Sequence, residues 1–226
     1  MLLVPTPIVG TAFFPGGYGL WNPHETFPLP AFPVGGVMVL GQDFHSEVGY
    51  QASLARGHES RTQPTWRNLL PLLKKSGIGP EECFFTNVFM GLRAGTATMG
   101  TFPGAKNPGF VHHCQDFLVT QISVQRPSLI VTLGIHAPPV LAELSPQLKP
   151  WLAKRGLKHL DDVGPLQTEV QFKGIPEFST TVVALVHPSL RFGSLRHRRY
   201  KGFTGPEAED LMLADAQTIR GTPTRT

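Results

Sequence analysis

The chain of 226 residues carries only two cysteines, Cys83 and Cys114, which form neither a CxxC pair nor a disulfide framework. A disulfide-stapled scaffold and a four-thiolate metal cage are therefore excluded. Both cysteines lie in apolar or helix-like surroundings and are expected as buried packing residues. Charge is sparse as well: Asp, Glu, Lys and Arg make up 16%, whereas Gly (24) and Pro (22) are plentiful. That mix favours loops around a compact centre over a helical bundle. No uninterrupted apolar run reaches the roughly 18 residues that a membrane span requires. The first residues have no early Lys or Arg and are broken by Pro5, Pro7, Gly10 and Pro15, which argues against a secretory signal. An intracellular location, no membrane partner and a monomer are expected.

What is present is a 41% apolar chain, enough for one substantial core. A single domain over residues 1–226 is expected, with 1–35 an irregular arm. Phe13, Phe14, Trp21, Phe27 and Phe32 make that arm too apolar for a solvated tail. The net charge of +4 tilts the surface basic, which permits a polyanionic partner without specifying one.

Four short apolar runs read as buried parallel strands: Gly36 to Leu40, Glu82 to Val88, Ser128 to Leu133 and Thr180 to Val186. An edge strand is expected over Thr168 to Phe172. Helical spacing runs over 63–76, with Pro71 as a kink or restart, and over 112–124 and 207–219; one or two short helices fill 136–155. The Gly- and Thr-rich stretch from Gly91 to Phe110 reads as a long loop, a length that is usually functional or disordered. The alternation implies an α/β fold, a three-layer α/β/α sandwich around a central four-stranded, mainly parallel sheet, with its site at the strands' carboxyl ends. Asp43, Asn87 and His187 each fall at or just beyond such an end.

The segments at those ends carry a resemblance. VMVLGQDFHSE (37–47) resembles the first motif of the uracil-DNA glycosylase superfamily, with the GQD of its uracil-excising branch; VALVHPSLR (183–191) resembles the second, strand then His-Pro-Ser. FFTNVFMGLR (84–93) resembles the strand presenting a base-reading Asn, and CQDFLVTQISVQRPSLIVTLGIHA (114–137) a helix–strand segment of the thermophilic iron–sulfur branch. The resemblance implies a DNA glycosylase that hydrolyses the N-glycosidic bond of uracil, or another deaminated base, flipped out of DNA. In the uracil-excising branch GQD continues with Pro-Tyr, and the Tyr excludes thymine's methyl group; here Phe44 and His45 follow. Strict uracil selectivity does not carry over, and His45 either takes over that wall or points a titratable group into the pocket.

The chemistry fits those residue types. Base excision develops an oxocarbenium-like sugar and an anionic base, and needs a guided water. A carboxylate at Asp43 can orient the water and offset the cation; an imidazole at His187 can stabilise the base anion. An amide at Asn87 can pair with the imide edge of uracil and reject cytosine, whose pattern is reversed. Gln42, Phe44 and His45 are the further base-binding candidates, with Tyr50 as first choice for the stacking platform and Phe44 next. Read without the resemblance, Asp43 also has the reading of a helix N-cap, Asn87 that of a satisfier of loop backbone and His187-Pro188-Ser189 that of a turn.

HPSLRFGSLRHRRYKGF (187–203) concentrates Arg191, Arg196, Arg198, Arg199 and Lys201 behind that His. Ser189 and the arginines Arg191, Arg196, Arg198 and Arg199 are expected to contact DNA phosphates. In relatives this loop carries a wedge that enters the duplex where the base has left; Leu190, Arg191 and Phe192 are all candidates. The iron–sulfur branch holds its cluster with four cysteines, which this chain cannot supply, so no cluster, no other metal and no cofactor is expected. Two other readings stay open: a uracil-DNA-binding protein of the same fold with little or no turnover, and an α/β enzyme acting on a small nucleoside or phosphate ester.

Overall fold

The computed structural model describes residues 19–21, 24–25 and 28–220. Phe13, Phe14 and Phe27 of the expected arm lie outside the described residues. Leu20 and Trp21 are buried, and Phe32 packs edge-on against Phe84 with ring centroids 5.2 Å apart.

The central sheet has β1 (Val37–Gly41), β2 (Cys83–Asn87), β3 (Leu129–Leu133), β4 (Leu166–Val170) and β5 (Thr180–Leu185). Their spatial order is β2-β1-β3-β5-β4. The first four in that order run parallel, and β4 pairs antiparallel with β5. The expected four-stranded sheet is thus corrected to five strands: the edge segment begins at Leu166, ahead of Thr168, and joins the same sheet. It was the least legible strand because its exposed face is polar and it has a register irregularity between Gln167 and Val170. The four parallel strands are buried along their whole length, as strands covered on both faces must be.

The helices are α1 (Glu47–Arg56), α2 (Pro64–Lys75), α3 (Pro108–Gln125), α4 (Ala137–Ala142), α5 (Leu157–Val163), α6 (Arg191–Ser194) and α7 (Gly205–Arg220). A two-stranded hairpin, β6 (Arg199–Tyr200) and β7 (Phe203–Thr204), precedes α7. One face of the sheet packs Val37, Val39, Leu129, Val131 and Val183 against Trp66, Leu69 and Leu73 of α2 and Met212, Leu213 and Ala216 of α7. The other packs Met38, Leu40, Ile130, Val182 and Ala184 against Leu118 and Ile122 of α3, Leu141 of α4 and Leu160 of α5. The result is an α/β/α sandwich.

α2 begins with Pro64 in its first turn, where a missing N–H costs nothing, and continues unbroken through Pro71. It stops at Gly77, whose φ of 72° lets Ile78 N reach back to the Leu73 carbonyl. The expected long loop is shorter than it reads, since α3 starts at Pro108, capped by the Asn107 side chain on Phe110 N. Between β2 and β3 the chain passes over β1, so the strands diverge in connection at β1 and β3. A crevice opens at the carboxyl end of such a switch point.

Candidate active site

Asn87 ends β2, Asp43 follows β1, Gly134 to His136 follow β3 and His187 follows β5. Because the strands are neighbours in that order, these four groups line one edge of the sheet in sequence. Pairing outlasts the strands: Val88 N donates to the Gly41 carbonyl and Phe89 N to that of Gln42. Asn87 is 1% exposed and lies in register with Gly41.

Asp43 is held from three sides. Arg93 Nη2 donates to Oδ2 at 2.7 Å, and Arg93 Nε reaches Oδ1 at 3.1 Å and Oδ2 at 3.2 Å. The His45 amide adds a bond to Oδ1 at 3.0 Å. Arg93 is itself buried and also donates from Nη1 to the Met99 carbonyl and from Nη2 to the Gly100 carbonyl, at 2.7 Å each. The loop 94–101 is thereby tied to the carboxylate. Asp43 is not a helix cap: Ser46 caps α1 by accepting from Gly49 N. Arg93 was not singled out from the sequence. Only the arginine in FFTNVFMGLR itself pointed to it, and no local rule pairs that residue with Asp43.

His45 takes a left-handed φ of 69°, which a non-glycine residue holds only when its surroundings impose it. Asp43 Oδ1 on its amide and the Arg93 amide on its carbonyl supply that constraint. Its ring lies 3.2 Å from Ser46 Oγ and against Gly49, where a Cβ would meet Nδ1 at 2.5 Å. Partial desolvation lowers the His45 pKa; Asp43 opposes this and Arg93 adds to it. Phe44 and Tyr50 are buried yet belong to neither core cluster. Tyr50 lies on α1 and not in a loop. Gln42 has a buried Nε2 without a hydrogen-bond partner.

His187 opens the turn Pro188–Leu190. Ser189 N donates to its Nδ1 at 3.3 Å, and Ser189 Oγ lies 2.8 Å from the same atom. A backbone N–H can only donate, so Nδ1 carries no proton and the neutral ring bears its hydrogen on Nε2. Burial drives the His187 pKa down to about 4, with Asp43 pulling it up and His136 pushing it further down. At neutral pH the ring is therefore an uncharged Nε2–H donor. Gly134 makes the close approach possible: its φ is 78°, and a Cβ there would sit 3.1 Å from His187 Cβ.

His136, at the N-terminus of α4, was also not singled out. It is half-buried, and desolvation lowers its pKa, with Arg155 and Arg93 adding to the shift and Asp43 opposing it. It shares the electrostatic neighbourhood of Asp43, Arg93 and His187, and the GIHA turn was its only sequence signal.

The basic segment divides. Arg196 and Arg199 are exposed, Leu190 is half-exposed and Phe192 is fully exposed. Arg198, expected on DNA, is instead 0% exposed: it pairs with Asp161 at 2.9 Å and Glu209 at 3.3 Å and donates to the Ala184 carbonyl at 2.8 Å. Arg191, also expected on DNA, is turned inward onto Glu209. A fully buried guanidinium met by carboxylates cannot reach a phosphate, so the expectation for Arg198 is corrected; Arg191, whose side chain is 16% exposed, spends its charge on Glu209. The Ser189 hydroxyl is engaged with His187.

The residues do not fit an iron–sulfur cluster. Cys83 and Cys114 are the chain's two thiols, both buried; Cys83 Sγ donates to the Gly79 carbonyl and Cys114 Sγ accepts from Met90 N. Among the described residues no group of three or more His, Cys, Asp or Glu is placed to hold a metal ion. No helix among them is long and apolar enough to cross a membrane.

A comparison with curated protein sequences returned no match. The family profile of the uracil DNA glycosylase superfamily matches residues 37–206, spanning β1 to the start of α7 and every strand-end residue described above. With that match over most of its 226 residues, the chain belongs to the uracil DNA glycosylase superfamily.

Proposed function

We propose that this protein is a monofunctional, cofactor-independent DNA glycosylase that removes uracil, and other deaminated bases, from DNA in intracellular base excision repair, acting as a monomer. The observation that supports it most is that Asn87, Asp43 and His187 share the carboxyl edge of the parallel strands β2, β1 and β5, with His187 neutral and its Nε2–H free of Ser189. In this reading Asn87 reads the imide edge of the flipped base, Gln42 Nε2 offers a donor, and Phe44 or Tyr50 stacks on the ring. Water adds at the anomeric carbon as the N-glycosidic bond breaks, and the bonding pair leaves with the base. Asp43 orients the water and offsets the sugar cation; the His187 Nε2–H stabilises the oxyanion of the departing base. Arg196 and Arg199 neutralise phosphates, and Phe192, the most exposed apolar side chain of the loop, fills the vacated stack.

Incubation with single- and double-stranded oligonucleotides bearing uracil, followed by cleavage of abasic sites, tests the reading. No product from any deaminated base at high enzyme concentration rejects it.

One observation favours a second reading, a uracil-DNA-binding protein with little turnover. Both oxygens of Asp43 are occupied by Arg93, which neutralises the carboxylate and leaves it little acceptor capacity for water. Turnover of excess substrate decides for the glycosylase; a stoichiometric complex without product decides for the binder.

A further inference from the structure

α7 presents Ala208, Met212, Leu213 and Ala216 to the sheet, all fully buried, and among them stands Glu209, also 0% exposed. A carboxylate there is costly unless every lone pair is engaged. Burial pushes the Glu209 pKa up, and Arg191, Arg198 and the Val186 amide pull it back. Its oxygens are divided. Oε2 accepts from Val186 N at 2.6 Å and from Arg198 Nη1 at 3.3 Å, and Oε1 accepts from the Arg191 guanidinium. Asp161 balances the second arginine, so the buried network holds two cations and two anions.

The two outer attachments are not arbitrary. Val186 immediately precedes His187, and Arg191 immediately precedes Phe192. Both ends of the segment 186–191, which carries His187, Ser189 and Leu190, therefore rest on one side chain. Asn68 Nδ2 adds a tie to the Pro188 carbonyl at 2.8 Å in the middle. An apolar residue could fill the volume of Glu209 but could not accept a backbone N–H one residue ahead of the imidazole.

We infer that Glu209 is the positioning residue of the site, setting His187 and the Phe192-bearing α6 from a single carboxylate, so that base contact and duplex contact are held as one unit. Its catalytic consequence rests on the glycosylase reading above; its consequence for the His187 ring does not.

The test compares wild type with Glu209→Gln, Arg191→Met and Arg191→Lys. Two readouts are used: the ¹⁵N shifts of the His187 ring, and single-turnover cleavage of uracil in single-stranded and duplex oligonucleotides. Glu209→Gln, folded by circular dichroism, is expected to move the His187 ring ¹⁵N shifts away from their wild-type positions and to slow on both substrates by on the order of 10²-fold, the scale for a misplaced catalytic group. Arg191→Met is expected to keep the wild-type ring shifts and to lose at least about tenfold more rate on duplex than on single strand, with Arg191→Lys restoring part of it. Should Glu209→Gln fail to fold, the Arg191 pair still decides, because a general loss of stability slows both substrates alike. A folded Glu209→Gln with the wild-type ring signature overturns the inference, as does an Arg191→Met that leaves the duplex to single-strand ratio unchanged. A wild type that cleaves nothing rejects the glycosylase reading, while the ring shifts still decide for or against Glu209.

Discussion

Arg93 and Asp43 form a buried ion pair in which the guanidinium reaches both carboxylate oxygens, with side chains 4% and 6% exposed. The same guanidinium holds the loop at Met99 and Gly100, so one residue joins a charge in the site to the shape of its rim. Removing one partner of such a pair strands the other charge and costs about 3–5 kcal/mol. Arg93→Met is expected to lose about that much in chemical denaturation and to expose the loop 94–101 to limited proteolysis. Asp43→Asn with Arg93→Met is expected to lose less than the sum of the two single losses.

In the glycosylase reading the carboxylate of this pair acts at the reacting sugar. Asp43→Asn is expected to reduce single-turnover cleavage by about 10² or more, as for other groups that stabilise transition-state charge. Full activity in Asp43→Asn, Asn87→Ala and His187→Ala alike would leave the family in place and remove the assigned site.

His187 governs a pH dependence whose sign is determined. An unfolded histidine takes up its proton near pH 6.5 and the native ring only near 4, because burial disfavours the imidazolium. Between those values the unfolded state binds the extra proton. The stability contribution is complete above about 6.5 and is lost as pH falls toward 4. Denaturant titrations at pH 7 and 5 are expected to show a larger loss in wild type than in His187→Gln, and the ring is expected to remain neutral by NMR at pH 5.5.

Phe192, Arg196 and Arg199 should behave as surface residues in stability and as DNA residues in binding. Phe192→Ala is expected to leave the melting temperature unchanged and to slow cleavage of duplex more than of single strand. Arg196→Ala and Arg199→Ala are each expected to lower the slope of log affinity against log salt by about one. Arg198→Ala is expected to do the reverse, losing stability by about 3–5 kcal/mol through the stranded carboxylates. Equal salt slopes for all three arginine variants would contradict this division.

His136 offers a separate check on the site's extent. It stands between Asp43 and His187 along the sheet edge, on the one strand end to which the sequence assigned no catalytic side chain. His136→Gln is expected to change the pH profile of cleavage while leaving the thermal midpoint near that of wild type. An unaltered profile would place His136 outside the chemistry.

Much of this was legible in the chain because it is locally encoded. Four short, largely apolar runs announce buried parallel strands, and Asp43, Asn87 and His187 stand out because each lies at or just beyond the end of one. The edge strand was less legible, since Thr168 and Glu169 face solvent and carry no apolar signal. The place of Tyr50 on a helix was not legible because α1 has almost no amphipathic pattern, and its start is marked by Ser46 alone.

The sequence by itself determined the layered α/β architecture, the family, and three polar residues brought to one sheet edge, all from short-range pattern and order. Tertiary structure alone decided the partners of charge. The bond from Arg93 to Asp43 crosses fifty residues and those from Arg198 and Arg191 lead into the sheet's interior. A run of arginines looks the same in sequence whether it faces phosphate or carboxylate. Only the fold, by placing Glu209 and Asp161 beneath two of them, determines which charges remain for DNA. Burial makes that choice, since a guanidinium withdrawn from water must be met by an anion where it stands.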